Sequence, residues 1–335
     1  TPILTPISER LLKMMDSNSI NTLQELAAQA IAKQSRRIFK HETDVLKDQD
    51  PENLHQMRVG MRRLQSAIAG LDLAIELPKI VTVKNIAKIG HSLGKLRDLD
   101  VLLAALTDNY RPLLSATEQK NLDKVIKFIA KKRQHELKQV RKTLQSKPYL
   151  DLKLELNNWL EEPKYKVAGD YAVHFVLPDL LLPSVSQFLL HPGWLMGIKL
   201  KQGEIEFPAS LTMDEVDQLL KSADTWWHDL RKSAKRTRYS LELFSQFYGE
   251  PYHLHLNRIE AVQEILGQIQ DIYVLLKVLE KVLPSPITKK MPELADLLSK
   301  TRSQKWLEWQ ILQKQFLEAQ TRTEFRQATM SVANP

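Results

Sequence analysis

One pattern occurs twice in this chain of 335 residues, and it limits the fold more than any composition figure does. HQMRVGMRRLQ begins at His55 and HDLRKSAKRTR at His228; LGKLRDLD begins at Leu93 and LGQIQDIY at Leu266. The interval from His55 to His228 equals that from Leu93 to Leu266. Two unrelated coincidences would hardly share one offset, so the chain reads as two homologous halves. Each copy sits where apolar residues recur at three and four spacing, the period of an amphipathic helix. Equivalent helices of a duplicated bundle can pack about a pseudo-twofold axis, which would bring matching faces together.

The helical period continues through 20–47, 52–77, 80–109, 117–146 and 148–160, then 178–190, 213–247, 252–283, 291–300 and 303–330. Pro51, Pro78, Pro112 and Pro148 fall between the first-half segments, as helix punctuation should. IKLKQGEIEF at 198–207 alternates about Gln202-Gly203 and predicts a β-hairpin insertion. Residues 161–177 read as the junction. The expectation is an all-α fold: one domain over 8–330, built of a first helical bundle at 8–165 and a second at 166–330.

Composition removes several functions. Without cysteine there is no disulfide scaffold, thiolate zinc, iron–sulfur site or catalytic thiol. Ten glycines, with no GxGxxG, GxxxxGK or GxSxG, argue against a glycine-loop nucleotide site. No apolar run reads as approaching the ~18 residues of a membrane span. The first residues lack the basic-then-apolar layout of a secretory signal, so a cytoplasmic location without a membrane partner is expected.

The net charge of +8 belongs to the first half, where residues 1–165 hold 28 Lys/Arg against 20 Asp/Glu; residues 166–335 hold 20 of each. Such asymmetry points to a polyanionic partner. At 100° per residue, Leu54, Met57, Met61, Leu64 and Ile68 form one apolar stripe, and His55, Arg58 and Arg62 share another face. The second copy buries Trp227, Leu230, Ala234 and Leu241 and groups His228, Arg231, Lys235 and Arg238. Like charges at such spacing repel, and a polyanion that neutralises them explains the row better than bulk water. Arginine forks grip phosphate oxygens, lysine adds a point charge, and histidine adds a donor sensitive to pH. Asp98 and Asp271 could pair with some of these cations.

Two further rows lie in the first half: Lys33, Arg36 and Lys40, flanked by Arg37 and His41, and Lys124, Lys127, Lys131, His135, Lys138 and Lys142. An extended phosphate chain could follow the longer row, and solvent is its plain alternative. A similar stripe of Lys84, Lys88, His91 and Lys95 reads as solvated. Trp226, Trp227, Trp306 and Trp309 read as core, and His253 and His255 as surface or loop histidines. With aromatics at 7% and only Phe39 and Phe128 falling within the basic rows, specific nucleic-acid binding is disfavoured. His228-Asp229 resembles the dyad of metal-dependent HD-type phosphohydrolases, and a hydrolase using those two residues is the alternative reading. The cations at three and seven residues beyond His228 would compete with a metal.

Taken together, HQMRVGMRRLQ, LGKLRDLDVLL, HDLRKSAKRTRYSLELF and the LGQIQD copy resemble the signature of the CHAD family, the conserved histidine α-helical domain. The resemblance implies two bundles related by a pseudo-twofold axis around a basic central pore or groove. It further implies non-enzymatic binding of inorganic polyphosphate, with association to polyphosphate granules and no cofactor. Carried over by motif, the implied contacts are His55, Arg58, Arg62 and Arg63, with His228, Arg231, Lys235, Arg236 and Arg238. Arg97 joins them, although Gln270 stands at its counterpart; likewise Gln65 stands opposite Arg238. Lys33, Arg36, Arg37, Lys40, Lys131, His135 and Lys138 complete the candidate polyphosphate contacts.

Overall fold

The computed structural model describes residues 20–207 and 211–333. The expected domain start at residue 8 lies outside the described residues. Helices dominate: α1 Leu23–Lys47, α2 Pro51–Gly70, α3 Val83–Ala104, α4 Ala116–Leu144, α5 Lys147–Glu161 and α6 Val173–Leu189 come first. After the hairpin follow α7 Met213–Ser222, α8 Asp224–Phe244, α9 Glu250–Val282, α10 Pro292–Leu317 and α11 Ala319–Met330. The all-α expectation holds. Strands β1 Lys199–Lys201 and β2 Glu204–Glu206 pair antiparallel, with Leu200 opposite Ile205. Gln202 and Gly203 take φ of 50° and 88°, the left-handed pair that a two-residue turn requires.

Local chemistry fixes the ends of the helices that matter for the basic faces. Thr22 caps α1, its side chain accepting from the Glu25 amide while Glu25 accepts from the Thr22 amide. Asp48 closes α1 in the left-handed region at φ 59°. Two residues later the Asp50 carboxylate accepts from the Glu52 amide, and Pro51 opens α2 with a φ already helical. This compact α1–α2 connection sets the two helices side by side. At Gly60 an added Cβ would lie 2.8 Å from Ile38 Cγ1, so that close approach needs glycine. The matching position in the repeat is Ser233, also small and buried.

The helix order repeats at the same offset as the motifs. Shifting α2, α3, α4 and α5 by the interval from His55 to His228 lands on α8, α9, α10 and α11. The chain divides into two compact units: the described residues through Val101 with Lys131–Leu177, and Leu102–Ala130 with Pro178–Ala333. This division differs from a cut near residue 165, because Leu102–Ala130 belongs with the second unit. The apolar stripe of α2 is buried, every one of its five residues at 4% exposure or less. In the second unit Trp194 stacks on Trp309 and Phe316, with Phe188 edge-on to both Trp194 and Phe316.

Several sequence expectations need correction. The segment 213–247 is two helices, broken at Ala223, and the break expected near 301–302 falls instead at Glu318. Thr301 stays helical by returning its hydroxyl to the Leu297 carbonyl, 2.8 Å away. The helix expected to reach 109 ends at Ala104 and passes into a π-helical segment, Ala105–Tyr110. Trp226 is exposed, unlike Trp227, Trp306 and Trp309. His255 is buried rather than superficial, stacked on the Phe325 ring 4.7 Å away. Finally, Val173–Leu195 is long and apolar enough to cross a membrane by length and composition, with a mean hydropathy of 1.4. Pro178 and Pro183 divide this stretch when it is read as sequence, yet α6 runs through both.

Candidate functional site

In the first unit, burial of the α2 stripe turns the opposite face of the helix outward. His55, Arg58, Arg62 and Arg63 sit there half-buried, not extended into solvent. Arg58 lies flat against α3, where an added Cβ at Gly94 would come within 3.2 Å of its Nε and 3.3 Å of an Nη. Its guanidinium also reaches the exposed Asp98 carboxylate at 3.4 Å. Arg97, three residues after Gly94 on α3, is close enough for its charge to act on His55. Burial holds the His55 pKa below the ordinary value, and the charges of Arg97, Arg58 and Arg62 push it further down against a partial opposing effect of Glu52. The sequence-expected set His55, Arg58, Arg62 and Arg97 is therefore drawn from two helices into one electrostatic cluster.

Helix α1 adds a third wall. Arg37 is half-buried and donates to Gln56 Oε1 at 3.1 Å, which tethers α1 to the motif helix. Burial and the neighbouring Arg63 charge lower its pKa. His41 bonds Asn53 at 2.7 Å. Lys33, Arg36 and Lys40 are exposed. On α4, Lys131, His135 and Lys138 are exposed as well. That helix is anchored from its other side by Arg133, which makes two 2.7 Å bonds to Asp48 and one of 2.6 Å to Asp100.

The second unit builds the motif again with different chemistry around the histidine. Arg231 lies against α9 at Gly267, whose added Cβ would stand 3.5 Å from its Nε. Gly94 and Gly267 are related by the same offset as the arginines they support. At the counterpart of Arg97, Gln270 hydrogen-bonds His228 Nδ1 at 2.8 Å, so a neutral amide replaces a cation beside the imidazole. Lys235 is half-buried and Arg236 exposed. Arg238 is held by Glu242 at 3.3 Å and by Glu260, with the Tyr239 ring 5.0 Å beneath it. A ligand reaching Arg238 must compete with two carboxylates.

Asp229, the acid of the alternative hydrolase reading, pairs with Lys232 at 3.2 Å. Among the described residues, no group of three or more His, Asp or Glu is placed to hold a metal ion. The residues that sequence reasoning overlooked are the two glycines. Their signal was present in the shared LG that opens LGKLRD and LGQIQD, but nothing in one dimension ties it to an arginine on the preceding helix.

Among curated proteins, none matches the chain. The fold is similar to the crystal structure of the CHAD domain from the plant Ricinus communis, at 22% identity, TM-score 0.58 and 94% coverage of each chain. It is also similar to PptA from Streptomyces chartreusis, at 15% identity and TM-score 0.59, over 93% of this chain and all of that one. The family model of the CHAD domain matches residues 29–280, which take in both motif copies and both supporting glycines, and the chain belongs to the CHAD domain family.

Proposed function

We propose that the protein binds inorganic polyphosphate, through the cationic faces built on α2 with α3 and on α8 with α9, without hydrolysing it. The carrying observation is the crowding in the first unit, where Arg58 packs flat on Gly94 of α3 and, with Arg62 and Arg97, lies near enough to the half-buried His55 to join burial in lowering its pKa. Such a cluster gains most from a ligand that brings dense negative charge and many acceptor oxygens. Phosphate oxygens match arginine forks, and each charge-assisted bond contributes about 1.5–3 kcal/mol. Membership of the CHAD family supports polyphosphate as that ligand. The engagement of Asp229 by Lys232 and of His228 by Gln270 supports binding over metal-dependent hydrolysis.

Titration calorimetry with long polyphosphate, tripolyphosphate and duplex DNA is the direct test. Replacing Arg58, Arg62, Arg231 and Lys235 together by Ala is expected to abolish tight binding of long polyphosphate. Circular dichroism should still report a folded protein, since the buried stripes are untouched. Unchanged affinity in the folded quadruple variant would reject these faces. Phosphate release in the presence of Mg²⁺ or Mn²⁺, lost in Asp229→Ala, would favour the hydrolase instead.

A further inference from the structure

We infer that the outward face of α4 in the first unit, Lys131, His135, Lys138 and Lys142, is a second polyphosphate contact that confers preference for long chains. This rests on the binding function proposed above. The four residues follow one another at four, three and four positions, a single stripe that climbs about 16 Å at the helical rise. All four are exposed. None has an ion-pair or hydrogen-bond partner among the described residues, whereas Lys47 and Lys147 on the same unit each pair with an aspartate within about one turn.

The rotation of α4 is fixed, so the stripe cannot turn inward. Arg133 lies roughly 140–200° around the helix from these residues. Its side chain is locked between Asp48 and Asp100, with the Asp100 carboxylate only 5% exposed. The fold does not need the cations. At the offset that relates the two motif copies, α10 carries Gln304, Glu308, Ile311 and Gln315. One copy of the helix thus carries a basic lane where the other is neutral or acidic. Between Lys131 and Lys142 no aromatic residue is available to stack a base, which favours a phosphate chain over single-stranded nucleic acid. A short anion satisfies the motif face alone, while a long one gains the additional lane.

The experiment compares wild type, a variant with Lys131, His135, Lys138 and Lys142 changed to Gln, and a control with Lys84, Lys88, His91 and Lys95 changed to Gln. Each is titrated with long polyphosphate, tripolyphosphate and single-stranded DNA over a range of salt. The lane variant is expected to bind long polyphosphate on the order of tenfold more weakly. Its salt slope should be shallower by about 2, from three lysine–phosphate contacts. Its tripolyphosphate affinity should match wild type, and the control should lose less than the lane variant. Equal losses in lane variant and control would overturn the inference, showing generic charge rather than a lane. Unchanged long-chain affinity in the lane variant overturns it directly. DNA bound as tightly as polyphosphate, and lost with the lane, would reassign the surface to nucleic acid. Failure of wild type to bind either phosphate would instead strike the proposed function itself.

Discussion

Gly94 and Gly267 decide how the two principal arginines are presented. A side chain lying flat on a neighbouring helix backbone loses much of its rotamer freedom before any ligand arrives, so less is lost on binding. The distances differ: an added Cβ would be 3.2 Å from the Arg58 guanidinium but 3.5 Å from that of Arg231. The first is tighter than ordinary contact and would shift the arginine head; the second is not. Gly94→Ala is therefore expected to weaken polyphosphate binding several-fold, and Gly267→Ala to have little effect. Both should unfold no more easily than wild type, because alanine favours a helix interior by about 1 kcal/mol over glycine. Calorimetric titration beside a denaturant melt separates the two effects. A loss of stability in Gly94→Ala matching its loss of affinity would show that the glycine serves packing alone.

At the scale of elements, helix ends carry as much as helix faces. The Glu118 carboxylate, on α4, is buried and accepts from the Glu293 and Leu294 amides at 2.8 and 3.0 Å, capping α10. Glu293 in turn accepts from the Ser115 amide at 2.7 Å. Two amides with no helical carbonyl to meet are thereby satisfied. Glu118→Ala is expected to destabilise the protein by about 2 kcal/mol, in the upper range for a cap, measured by denaturant unfolding. This cap was illegible in sequence, since its partners are 175 and 176 positions apart. The helices themselves were legible, because a 3.6-residue apolar period is a local signal. So was the shared outward face of His55, Arg58 and Arg62, which follows from their angle to the buried stripe. The capture of Arg238 by Glu260 and the burial of His255 were not, since each depends on which helix lies opposite. A pattern along one helix says which face is out, and says nothing of what the neighbour presents.

For the whole molecule, two histidines give pH two opposite roles. Burial, with the Arg258 charge adding to it, brings the His255 pKa down to about 4. The unfolded chain binds that proton below the ordinary 6.5, while the folded protein refuses it until far lower. Stability should thus fall as pH drops from 6.5 to 4 and change little above 6.5, with about 3 kcal/mol attached to this group. Urea melts of wild type and His255→Phe across that range check the sign; parallel curves would remove His255 as the cause. Under the proposed polyphosphate binding, His55 is expected to act in the reverse sense. Its pKa is depressed in the free protein, and a phosphate chain beside it favours the protonated form. Binding should take up a proton, and affinity should strengthen as pH falls through the region below 6.5. Calorimetry in buffers of different ionisation enthalpy reads that uptake, which His55→Gln should diminish.

The small hairpin also has a practical consequence. Glu204 follows the Gln202-Gly203 turn, and every residue of both strands is exposed. Because the chain contains no cysteine, a Glu204→Cys variant would carry a single thiol. One fluorophore or spin label could then be attached at one known place, in a protein whose fold needs no protection from thiol chemistry. The absence that excluded thiolate metals and disulfides also makes the chain an unambiguous scaffold for an optical test of the proposed binding.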